Sequence, residues 1–102
     1  MYRILLACGL GASSGFLAQN IRKAAKARNI EVSVKAISES DISSAISEYD
    51  VVMIGPHIAF KYLEVKEMIE GTNKKAVLID KKDYGSLNGE AVLDAAIKEL
   101  EG

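Results

Sequence analysis

A chain of 102 residues, 49% apolar and 26% charged, has the length and balance of one compact globular domain, which excludes intrinsic disorder and leaves no room for a catalytic domain beside a separate binding domain. Thirteen Lys and Arg against fourteen Asp and Glu leave a net charge of -1 with no block of like charge, which argues against nucleic-acid binding driven by counterion release. The single cysteine, Cys8, closes no disulfide within the chain and builds no multi-thiolate zinc site, and the longest apolar runs fall far short of the roughly 18 residues that cross a bilayer.

Tyr2 to Ala7 is the first of four short apolar runs and reads as a strand. Gly9 and Gly11 then break the apolar stretch too early for a signal peptide, so the expected location is the cytoplasm. From Ser14 to Arg28 apolar residues (Leu17, Ile21, Ala24 or Ala25) and cations (Arg22, Lys23, Lys26, Arg28) segregate at a period near 3.6, a helix with its positive charge at the end the dipole favours. Ile30 to Ile37 alternates apolar and polar, as an edge strand does. A short helix is expected from Ser40 to Glu48, capped by Ser40 or Asp41, with Ile42, Ala45 and Ile46 on one face. Asp50 to Ile54 follows as a strand whose Val51-Val52-Met53-Ile54 run, like Ile4-Leu5-Leu6, suits cover on both faces. Ile58 to Ile69 carries the stripe Tyr62, Val65, Met68 and Ile69 of a third helix, and Gly71 offers its stop. Ala76 to Ile79 is the fourth strand, and a last helix runs from the cap Asn88 through Val92, Leu93, Ala96, Ile97 and Leu100.

Strand and helix therefore alternate, which implies a parallel sheet with helices on both faces. Right-handed crossovers and an edge-like second strand favour the order 2-1-3-4: an α/β three-layer sandwich, flavodoxin-like, in one domain over residues 1–102. Ligands of such sheets bind beyond the carboxyl ends of the strands. The loops after Ala7, Ile37, Ile54 and Ile79 are where chemistry is expected.

The first of these, Cys8-Gly9-Leu10-Gly11-Ala12-Ser13-Ser14-Gly15, is the most informative. Its glycines allow positive φ and close backbone approach, so consecutive N–H groups can form an anion cradle at a helix N-terminus. Ser13 and Ser14 can add hydroxyl donors, and Cys8 at the rim would be held towards its thiolate by those amides and the helix dipole. Nucleotide motifs fit poorly. The third glycine of G-x-G-x-x-G would fall at Ser14, and no Gly-Lys followed by Ser or Thr occurs in the chain. The phosphate loop of low-molecular-weight tyrosine phosphatases, Cys-x5-Arg, fits better, but its arginine position is also Ser14. Without that guanidinium a phosphocysteine should form only from an activated donor and should resist water, so such a domain would carry phosphoryl groups rather than hydrolyse them.

At this point the chain resembles the enzyme IIB component of the lactose/cellobiose (chitobiose) type of the phosphoenolpyruvate-dependent sugar phosphotransferase system. The markers are Cys8, Gly11, Ser13 and Ser14 in the pattern Cys-x-x-Gly-x-Ser-[Ser/Thr], then Gly55-Pro56 with Ile58-Ala59, and Asp80 with Tyr84-Gly85. The resemblance implies a phosphocarrier without cofactor or metal. By that likeness Cys8 is the catalytic nucleophile, phosphorylated by a phosphohistidine of a IIA protein or domain, and Gly9, Leu10, Gly11, Ala12, Ser13 and Ser14 bind the phosphoryl oxygens. The phosphoryl group would pass to a sugar, a β-glucoside of cellobiose/chitobiose or lactose type, held by the membrane permease IIC. The resemblance implies neither nucleic-acid binding nor direct membrane insertion. Many family members have Gln after Gly-Pro, where this chain has His57.

His57 and Tyr84 are secondary candidates for the site. For His57 a loop side chain near a helix start is the stronger reading, for Tyr84 a cover over the sheet end, and for Asp80 a cap or turn brace. The cations Arg22, Lys23, Lys26 and Arg28 read as a solvated face, and Leu10, Ala12 and Phe16 as contacts for a transient partner. Two other functions compete: a small phosphatase or arsenate-reductase-like thiol enzyme, and a non-catalytic anion-binding regulatory module.

Overall fold

In the computed structural model residues 1–7 and 12–102 are described, the side chains of 12–14 excepted. Strands β1 (Tyr2–Ala7), β2 (Val32–Ile37), β3 (Val51–Ile54) and β4 (Lys75–Leu78) form one parallel sheet in the order β2-β1-β3-β4. The expected order is the observed one. β1 and β3 hold the interior positions, and successive side chains leave the sheet on opposite faces. Ile4, Leu6, Val51 and Met53 pack on one side, and Leu5, Ala7, Val52 and Ile54 on the other, all of them buried. A strand buried on both faces has no place for a polar residue, which is why these two runs are continuously apolar. The alternating run forms the edge strand β2, where only Val34 is buried.

Helix α1 (Ala12–Ala27) and helix α5 (Gly89–Glu101) cover the first face, seating Leu17, Ala18, Ile21, Val92, Leu93 and Ala96. They lie close together at Gly89, whose missing side chain lets the α5 backbone lie against Asn20 and Ile21. α1 ends before Arg28 because Asn29 turns left-handed at φ 58, which lets the Ile30 N–H reach the Ala25 carbonyl at 2.8 Å. The opposite face is covered by α2 (Ile42–Ala45), flanked by 3-10 turns Glu39–Asp41 and Ile46–Glu48, and by the 3-10 turn Pro56–Lys61 leading into α3 (Tyr62–Met68).

Four local expectations shift. α1 starts at Ala12, so Gly15 lies inside a helix rather than in a positive-φ turn. The second helix starts at Glu39 after Ser38, and neither Ser38 nor Asp41 makes a side-chain capping bond. The third helical segment starts at Pro56, whose fixed φ suits a first helical position, and it kinks at Ile58. A fifth helix, α4 (Lys81–Gly85), occupies a stretch read as a loop. Gly71, at φ 84, terminates the α3 region as expected.

Candidate functional site

Register brings four chain exits to one edge of the sheet. Ala7 pairs with Ile37 on one side and with Ile54 on the other, and Ile54 pairs with Leu78. The ladder runs one step further on the inner side, where the Gly55 N–H donates to the Ala7 carbonyl at 2.9 Å and the Ile79 N–H to the Ile54 carbonyl at 2.8 Å. Ser38 and Gly55 therefore leave the sheet on either side of the point at which β1 ends, and Asp80 follows one strand further out, beside β3. α1 begins at the same edge, and its first turn carries no acidic residue to compete for its amides. Orphan N–H groups and the positive end of the helix dipole favour an anion at such a place.

Of the residues assigned to the chemistry, Cys8, Gly9, Leu10 and Gly11 lie outside the described residues. For Ala12, Ser13 and Ser14 the helical backbone is described and the side chains are not. Gly55 is buried, and Pro56 starts the following turn directly after it. Asp80 caps α4: its carboxylate accepts the Lys82 N–H at 2.8 Å, and its carbonyl accepts the Tyr84 N–H at 2.9 Å. These bonds are the cap expected of it, and they fix the helix that carries Tyr84. Exposed His57 and half-buried Tyr84, which come from loops after different strands, meet with ring centroids 5.2 Å apart at a tilt of 49°. The separation lies within the range over which aromatic rings attract one another. The two secondary candidates thus form one lip, with Tyr84 also packing on the core beneath α1 and α5.

On the β2 side Ser38 was missed as a rim residue. Its hydroxyl lies 3.0 Å from that of Ser40 and donates to the Asp41 carboxylate at 3.2 Å, so three polar side chains order this exit. The sequence signal was the Ser-Glu-Ser-Asp run directly after the strand. Phe16, read above as a partner contact, is 56% exposed. It borders an open groove of about 500 Å³ with Gln19, Arg22, Lys35 and Ala36.

The four cations in and just after α1 are exposed, as expected, and two of them are also engaged. Arg22 donates to the Val34 carbonyl on the sheet edge, and Arg28 pairs with Asp94 and, at 3.2 Å, with Glu90 on α5. The guanidinium holds the Asp94 carboxyl below the usual carboxylate range, chiefly through its hydrogen bond. Lys23 and Lys26 are exposed. No helix of the described residues is long and apolar enough to cross a membrane, and none of their acidic, His or Cys side chains cluster in threes as a metal site would require.

Residues 3–95 match the family described as the lactose/cellobiose-specific IIB subunit of the phosphotransferase system. The chain is 33% identical to the galactose-specific EIIB component of Lactococcus lactis over 98 residues, 91% of each chain. The solution structure of a cellobiose-specific IIB component from Borrelia burgdorferi superposes with a TM-score of 0.80 at 36% identity, over 98% of this chain and 92% of that one. A lactose-specific EIICB component of Staphylococcus aureus is 26% identical over 96% of this chain, which spans 18% of that longer protein.

Proposed function

Because the chain belongs to the lactose/cellobiose-specific IIB family of the sugar phosphotransferase system, we propose that it is a cytoplasmic phosphocarrier working through Cys8. The observation that carries this reading is the family match across residues 3–95, which spans the cysteine loop and both accessory loops. In the first step the Cys8 thiolate attacks the phosphorus of a IIA phosphohistidine. An S–P bond forms, the N–P bond breaks, and the imidazole leaves and takes up a proton. In the second step a hydroxyl of the sugar bound to the IIC permease attacks the same phosphorus. The S–P bond breaks, the thiolate is released, and the hydroxyl proton passes to a base or to water.

Residues Gly9 to Ser14 hold the phosphoryl oxygens in this scheme, and α1 supplies its N-terminal amides and dipole at the edge where β1 ends. The lip of His57 and Tyr84 borders the site on the β3 and β4 side. The relatives carry names for galactose, cellobiose and lactose, which supports a sugar of the cellobiose or lactose type, with the permease choosing within it. The EIICB relative supports the pairing with IIC, and the lack of a membrane-spanning helix among the described residues supports a chain that works at the membrane without entering it.

The test is to incubate the protein with phosphoenolpyruvate, the general phosphotransferase proteins and a IIA of the cellobiose type. One phosphoryl group per chain is expected on the wild type and none on Cys8→Ser. Aryl phosphate turnover should be absent, since Ser14 stands where a phosphatase loop has arginine. A wild type that stays unlabelled, or labelling that survives in Cys8→Ser, would refute the assignment.

A further inference from the structure

Phosphoryl transfer spreads negative charge over three equatorial oxygens, and a loop with Ser14 where a phosphatase has arginine brings no guanidinium to meet it. On the β3 side the neighbours of His57 are poor sources of a further donor. The Gly55 N–H is spent on the Ala7 carbonyl, Pro56 has no N–H, and the Ile58 N–H returns to the Gly55 carbonyl at 3.1 Å. Of residues 55–58 only His57 carries a side-chain donor. An imidazole has an N–H to give whether it is neutral or charged.

The fold holds this ring over the end of the sheet. β1 and β3 are neighbours about 4.8 Å apart, with Ala7 level with Ile54, and His57 follows three residues later. Its backbone is pinned on both sides, by buried Gly55 and by Ile58, which is 4% exposed and seated in the core cluster beneath α3. Tyr84 packs instead on the cluster of the opposite face, beneath α1 and α5. The ring contact therefore crosses from one layer to the other past the carboxyl ends of β3 and β4. An exposed side chain on a loop samples several rotamers, whereas a ring resting on Tyr84, whose helix is capped by Asp80, is held in fewer. A donor positioned in advance acts on developing charge without the cost of reorganisation.

We propose that His57 donates a hydrogen bond to the phosphoryl group carried by Cys8, with Tyr84 as the residue that positions its ring. This rests on the carrier reading above. The same phosphoryl group lies beside the lip in both half-reactions, so His57 serves the transfer from IIA and the transfer to the sugar alike.

His57 is the only histidine of the chain, so its ring resonances are assigned without ambiguity in the nitrogen-15-labelled protein. Phosphorylation by unlabelled IIA should move the His57 ring proton and nitrogen resonances in the wild type and leave them in place in Cys8→Ser. Single-turnover transfer from phosphorylated IIA is then timed in folded variants. At saturating IIA the rate in His57→Ala should fall about tenfold or more, with the IIA concentration for half-maximal rate within about twofold of wild type. His57→Gln, which keeps a neutral N–H donor, should recover most of that loss. Tyr84→Ala should lose about threefold or more, and Tyr84→Phe less, because the supporting ring remains. Unmoved His57 resonances in phosphorylated wild type overturn the proposal, and this measurement stands even where a variant fails to fold. So does a wild-type rate in His57→Ala, a raised half-saturation at an unchanged maximal rate, which marks a partner contact, or a folded His57→Gln as slow as His57→Ala. A Tyr84→Phe slower than His57→Ala assigns the donor to the Tyr84 hydroxyl and overturns it as well. A wild type that takes up no phosphoryl group overturns the carrier reading itself, whereas one that is phosphorylated with its His57 ring unmoved overturns only the hydrogen bond.

Discussion

Replacing Gly89 by Ala tests how closely α5 is laid against α1. An ideal Cβ on Gly89 falls 2.3 Å from the carbonyl carbon of Asn20, 2.5 Å from its oxygen and 2.6 Å from the Ile21 nitrogen. All three are backbone atoms, so no side-chain rotation relieves the overlap. Restoring ordinary contact near 3.5 Å requires the helices to part by about 1 Å. That movement loosens the seam at Leu17, Ile21, Val92 and Leu93, all buried, and strains the bond from the Asn20 amide to the Leu87 carbonyl, now 2.9 Å. Overpacking of this kind costs about 1–3 kcal/mol. Alanine's better helix propensity returns under about 1 kcal/mol, since Gly89 is the first residue of α5 rather than an interior one. A net loss of about 2 kcal/mol lowers Tm by on the order of 10 °C in a domain of this size. Calorimetry and urea denaturation measure it. Gly85→Ala serves as control, because a Cβ there meets nothing within 4 Å among the described residues and should be close to neutral. If Gly89→Ala melts at or above the wild type, or if both variants shift alike, the close-packing argument is wrong.

The clamp between β1 and β3 gives an acid-stability prediction. Asp50 accepts the Arg3 N–H at 3.0 Å and the Arg3 guanidinium at 3.0 and 3.3 Å, while its own N–H donates to the Arg3 carbonyl at 2.8 Å. Partial burial works to raise its pKa, but the Arg3 hydrogen bonds and the charges of Arg3 and Lys74 outweigh this and hold the carboxyl below its usual range. A lowered folded-state value means stability that is present above about pH 4, the unfolded value, and lost as pH falls through the folded one. Asp50→Asn should cost about 1–3 kcal/mol at pH 7 and flatten the fall in stability below about pH 4, measured by urea denaturation across pH. An equally steep acid slope in the variant would count against the clamp. Asp80→Ala, which removes the cap of α4, should cost about 1 kcal/mol. It should speed amide exchange in Lys81–Gly85 and change the His57 ring resonances through the lost order of Tyr84, and unchanged His57 resonances would show that the cap does not hold the lip.

The sheet was legible because burial on both faces or on one leaves different patterns, continuous in Val51–Ile54 and alternating in Val32–Ile37. The fourth strand is shifted by one residue from expectation because its register follows the bond from the Lys75 N–H to the Asp50 carbonyl, a long-range contact that no local pattern records. α4 went unread because five residues cannot show a helical stripe, although Asp80 was recognised as a cap. Pro56 was a signal for the earlier helical start that the apolar periodicity overrode. The cysteine loop stood out in sequence through its glycines, serines and position after a buried strand. Its neighbours did not. The meeting of His57 with Tyr84, and of Arg28 with Asp94, joins residues brought together only by the crossovers.

Net charge sharpens the argument about partners. At -1 the chain has no long-range field with which to steer either one, so discrimination must come from local patches acting within a Debye length of about 8 Å. The structure exposes aromatic side chains on opposite layers, Phe16 beside Arg22 and Lys35 on one, and Phe60 with Leu63 on the other. In the proposed transfer each partner must reach Cys8, so the two partners exclude one another. A carrier built this way turns over only if each complex dissociates quickly, which favours small contact areas at the low end of specific interfaces. Exposed aromatics that stand apart on separate layers of a chain this small, Phe16 and Phe60, suit that requirement better than one large apolar face, which would hold its first partner and block the second.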